Sequence, residues 1–116
     1  MKIAILIKEG NPPRLTDGIR LVLGLTINHR VSLLITESGA KAIAEAIKDE
    51  SFKNKFLESM ELISKMSGII RTEKAIEGAE AIDVISQEAL LKLLLSSDSI
   101  IVFLTSVLIL LVLTNF

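Results

Sequence analysis

Lys2 to Lys8, Val31 to Ile35 and Ser99 to Leu104 are short, almost wholly apolar runs of strand length. A strand with one wet face alternates apolar and polar residues. A strand apolar along its whole length has to be covered on both faces. Stretches with helical spacing stand between these runs, so the chain reads as strand, helix, strand, helix, short strand, helix, strand. Such an order points to an α/β domain with a mostly parallel sheet of about five strands between helical layers. At 116 residues the chain has room for one core. One domain over 1–116 is expected, with 106–116 as an apolar extension.

The punctuation follows local chemistry. Gly10-Asn11-Pro12-Pro13 is expected to break the chain after the first strand. Asp17 then starts a helix to about Asn28, with Leu15, Ile19, Val22 and Leu23 on its apolar side. Gly24 lowers helix propensity there, and a close contact would account for it. Thr36-Glu37-Ser38-Gly39 reads as the loop after the second strand, with Ser38 as a cap and a short helix from Ala40 to Lys48. A further helix starts at Asp49 or Ser51. Phe52, Phe56, Met60 and Ile63 recur along it at spacings of four, four and three, and Met66 is assigned to the same stripe. Ser67-Gly68 ends it. Ile69-Ile70 and Ala81 to Ile85 read as short strands, and Arg71 to Gly78 as a loop. Ser86 caps a last helix to about Leu95.

Composition excludes some chemistry. There is no cysteine, hence no disulfide, thiolate metal site or thiol nucleophile. The formal net charge is -1 with charges of both signs interspersed, which does not describe a nucleic-acid binder. His29, the single histidine, has no second ligand close in sequence, so no metal is expected, and no cofactor motif is present. The candidate ligand contacts are loop residues at strand carboxyl ends, where open α/β sheets bind. They are Asn11 after the first strand, Thr36, Glu37 and Ser38 after the second, and Arg71 and Thr72 after the third. For each a plain structural role competes: a βα connection, a helix cap, a solvated charge cluster.

Taken together, "KIAILIKEG", "DGIRLVLGLTINHRVSLLITESGA" and "AIDVISQEALLKLLLSSDSIIVF" resemble the DsrE/DsrF-like family, the small sulfur-relay proteins that include the Tus-type subunits. The resemblance spans Met1 to Phe103 and is one of pattern and order. It implies a flavodoxin-like layer fold and assembly into trimers, hexamers or mixed complexes. Catalytic members of the family hold a persulfide on a cysteine in the loop after the third strand. The matching position here falls near Arg71 or Thr72, where no cysteine stands. The resemblance therefore implies a non-catalytic subunit, acting in sulfur relay through a cysteine-bearing paralogue. The alternative is a small-molecule-binding protein or enzyme using the loop edge near Asn11, Glu37 and Arg71.

The tail, "SIIVFLTSVLILLVLTNF", sets a membrane anchor against a sheet strand. Ile100 to Leu113 is interrupted only by Thr105 and Ser106, and a spanning helix needs about 20 predominantly apolar residues. No Lys, Arg, Trp or Tyr anchors its ends. A strand at the sheet edge or a segment between subunits is the expectation, with a cytoplasmic, oligomeric protein and no membrane attachment.

Overall fold

The computed structural model describes residues 1–9, 12–103 and 108–112. Its elements run β1 (Lys2–Ile7), α1 (Pro12–Thr26), β2 (Arg30–Ile35), α2 (Glu37–Ala46), α3 (Glu50–Lys65), β3 (Ile69–Thr72), β4 (Asp83–Val84), α4 (Gln87–Leu95), β5 (Ser99–Phe103) and β6 (Leu108–Val112). They form one sheet in the order β4-β3-β2-β1-β5-β6. The first five strands are parallel, and β6 runs antiparallel to β5. The three-layer α/β architecture is the expected one.

The register explains why the strands are apolar throughout. Ile3, Ile5 and Ile7 of β1, with Val31, Leu33 and Ile35 of β2, face α1, α2 and α3 in the larger core. Ala4 and Leu34 face Leu90 of α4 on the other side. Winding proceeds outward from β1 to β4, then returns past β1 to β5. With right-handed crossovers, that reversal moves the last helix to the opposite face. Helix α3 orients as its spacing predicts, with Phe52, Phe56, Met60 and Ile63 all buried.

Several local expectations are corrected. Helix α1 begins at Pro12, not near Asp17, and ends at Thr26. A proline in the first turn lacks only a donor that would have no intrahelical partner, so Pro12 and Pro13 open the helix, while Gly10 and Asn11 of the expected break lie outside the described residues. Gly24 is exposed, and a Cβ there would meet nothing within 4 Å. The expected close contact is absent. Helix α2 starts at Glu37, capped by Thr36 and not by Ser38. Arg71 and Thr72 lie in β3, not in a loop. Met66 is the exposed C-cap of α3 and does not belong to the buried stripe.

The end of α3 shows how backbone and side chain divide the work. Ser67, at φ 67°, takes the left-handed position. Its N–H donates to Ser64 O at 3.1 Å, and the Gly68 N–H donates to Ile63 O at 2.8 Å. This is a Schellman motif with serine where glycine is usual. Gly68 is needed for space: a Cβ there would run into the Ile63 side chain and lie 3.0 Å from its carbonyl oxygen.

Ser99–Phe103 at the start of the apolar tail forms β5, and Leu108–Val112 returns beside it as β6. No helix among the described residues is long and apolar enough to cross a membrane.

Candidate functional site

In this strand order the direction of winding reverses between β1 and β5, the usual place for a ligand crevice. Asn11, expected at this crevice, lies outside the described residues.

The neighbouring carboxyl ends of β2 and β3 bring Thr36, Glu37, Ser38 and Thr72 to one edge. The carbonyl of Ile7 anchors this edge. It accepts from the Thr36 N–H at 3.0 Å and from Thr36 Oγ1 at 3.2 Å. Thr36 Oγ1 also accepts from the Gly39 N–H at 3.1 Å, capping α2, and lies 3.2 Å from Ser38 Oγ. Thr36 thus ties strand β1 to the start of α2. Thr36→Ala should remove both bonds and cost about 1–2 kcal/mol. Chemical denaturation would show this as a lower midpoint at unchanged slope.

Thr72 is fully buried. Its Oγ1 donates to Lys74 O at 2.7 Å and accepts from the Lys74 N–H at 3.3 Å. The hydroxyl closes the turn after β3. Lys74 Nζ reaches Glu37 Oε1 at 3.4 Å, joining the two loops through an exposed ion pair. Such a pair contributes little to stability. Arg71 does not join this group. It alternates to the other face of β3, donates from Nη1 to Ile70 O at 2.8 Å, and lies 3.7 Å from Asp83 on β4.

Of the sequence candidates described, Thr36 and Thr72 hold the backbone in place, Arg71 pairs across strands, and Glu37 pairs with Lys74. Ser38 contributes an exposed hydroxyl 3.2 Å from Thr36 Oγ1. This arrangement holds no nucleophile with a base oriented against it. His29 stands at the opposite sheet edge, its Nδ1 buried and without a hydrogen-bond partner. No group of three or more metal-ligating residues occurs among the described residues. Glu80 lies apart from the site. Its carboxyl is held below the usual glutamate range, chiefly by the Gly78 N–H at 3.0 Å and then by its own backbone N–H. The charged form therefore favours the folded chain above the ordinary glutamate range, and the effect fades as pH falls through the lowered value.

Sequence reasoning missed a second grouping, at the amino ends of the strands. Lys2 and Arg30 stand side by side there as partners in β1 and β2. Only the register reveals this pair, since the two residues stand twenty-eight positions apart in the chain. Comparison of the chain with protein-family models, with curated proteins and with solved structures gives no match.

Proposed function

We propose that this chain is a non-catalytic subunit of DsrE/DsrF-like type, assembling with copies of itself or with a cysteine-bearing paralogue. The observation that supports it most is the use made of the position after β3. Family members that carry sulfur need a reactive thiol there. Here Thr72 is buried and bonded twice to Lys74, and Arg71 is turned to Asp83. The edge is built to hold loops together.

Assembly is supported by apolar surface. Leu91 and Leu95 project from α4 with 51% and 68% exposure, one helical turn apart. Among the described residues the sheet ends in β6, a strand whose sequence LILLV has neither charge nor proline. Edge strands of monomeric proteins are usually blunted by such residues. Glu88 and Lys92 leave only a thin charged margin on α4. On this reading α4 and β6 face another subunit.

Native mass spectrometry of the purified protein tests the reading. The expected mass is a multiple of the 12.7 kDa chain, or a complex with a cysteine-containing chain. After incubation with a polysulfide donor, intact mass should show no covalent sulfur on this chain. A monomer at micromolar concentration would refute the assembly, and a stable sulfur adduct would refute the non-catalytic role.

A further inference from the structure

We infer that the amino end of the sheet, beneath the last turn of α4, binds a tetrahedral oxyanion of the phosphate type. Lys2 and Arg30 are Cα partners on adjacent strands and share the face that α4 covers. Like charges placed directly across two strands destabilise each other. Neither head group forms an ion pair among the described residues. Asp98, close by, gives its carboxylate to the Lys2 backbone N–H at 2.8 Å. The fold therefore places two cations side by side and, among the described residues, leaves both head groups without an ion pair, with Asp98 bordering the adjoining cleft.

The space they border suits an anion. A cleft of about 390 Å³ is lined by Lys2, Arg30, Ser32 and Ser67, with Ile69 and Leu93 on its apolar side and no carboxylate. That volume lies within the range of small-ligand sites. Ser96 and Ser97 also line it, but their hydroxyls donate to Leu93 O at 3.0 and 2.8 Å. The hydroxyls of Ser32 and Ser67 have no such bond among the described residues and remain free to donate. Ser67 is held at the cleft by its left-handed backbone. Two cations and two free hydroxyls supply the donors that a phosphate oxygen shell accepts. The wall formed by Ile69 and Leu93 favours a phosphate monoester with a compact apolar body over the free ion. Two cations in a chain of net charge -1 fit one phosphate group and not a polymer of them. The site lies at the opposite strand ends from the loop edge and does not depend on any role in sulfur relay.

The test uses the full chain, titrated with inorganic phosphate and with phenyl phosphate and followed by amide NMR and thermal melting. Saturable shifts are expected at Ser32, Ser67 and Ile69, together with a rise in Tm. Phenyl phosphate should bind more tightly if a monoester is the ligand, and equally if the free ion is. Arg30→Gln should weaken binding roughly tenfold or more. In the absence of ligand it should leave Tm unchanged or raise it, because it relieves the repulsion with Lys2. Lys2→Gln is the second variant and should behave in the same way. Shifts that do not saturate, or that appear equally around Lys41 and Lys48, would mean an adventitious ion only and overturn the site. Unaltered affinity in a folded Arg30→Gln or Lys2→Gln protein would also overturn it.

Discussion

Phe56→Ala is expected to remove about 3–5 kcal/mol of folding stability. The side chain is 1% exposed and sits in the larger core, its ring stacked on Phe52 with centroids 5.9 Å apart and planes 16° from parallel. Truncation removes the transfer energy of the ring and leaves a void between α3, α1 and the sheet, which close-packed neighbours fill only in part. Domains of this size hold roughly 5–15 kcal/mol in all. A fall in Tm of about 10–25 °C should follow. The next residue supplies the control. Leu57 is 38% exposed, so Leu57→Ala should cost about 1 kcal/mol or less. Equal losses at the two positions in urea denaturation would mean that α3 does not present this face to the sheet.

Gly39→Ala should be the second severe change, and its sign is the informative part. In a helix, alanine is normally better than glycine by about 0.8–1 kcal/mol. Gly39 stands in the first turn of α2, where a Cβ would be driven into the carbonyl oxygen of Ile7 and lie 2.9 Å from its carbon. That carbonyl cannot swing aside without breaking its two bonds from Thr36. A loss of about 2–3 kcal/mol or more is expected, at the upper end of what overpacking costs. Gly24 in α1 has open space where a Cβ would stand, so Gly24→Ala should stabilise by up to about 1 kcal/mol. Paired thermal melts of the two variants, moving in opposite directions, would verify the close approach of α2 to β1. If Gly39→Ala were as stable as the parent, the loop edge could not have this geometry.

The layers were legible because burial on both faces and burial on one face leave different patterns. Lys2 to Lys8 and Val31 to Ile35 could only be covered strands, and the spacing of Phe52, Phe56, Met60 and Ile63 could only be one side of a helix. Boundaries governed by single donors were less legible. Pro12 and Pro13 read as a break because the same residue type that ends a helix also begins one. Thr36 and Ser38 both suit a cap, and the choice between them depends on the carbonyl of Ile7, a long-range partner. The candidate site was legible only in part for the same reason. Thr36, Glu37, Ser38 and Thr72 stand at the carboxyl ends of β2 and β3, which neighbour each other in this parallel sheet. The ion pair of Glu37 with Lys74 and the turning of Arg71 to Asp83 depend on strand length and neighbour order, which no local pattern encodes. Lys2 beside Arg30 is the extreme case, since a shift of one residue in register would separate them.

The position of β1 at the heart of the sheet sets a timetable for folding. Its two edges are filled by β2, close behind it in the chain, and by β5, which begins at Ser99. During synthesis one edge of this apolar strand is satisfied early. The other waits until more than sixty further residues have been added, about 3–14 s at translation rates of roughly 5–20 residues per second. For that interval a row of unpaired amides and carbonyls faces outward on KIAILI, a segment with strong β propensity. The nascent chain is thus most vulnerable to self-association just before its last parallel strand arrives. Slowing translation beyond β4 should lower the soluble yield more than slowing it within α1.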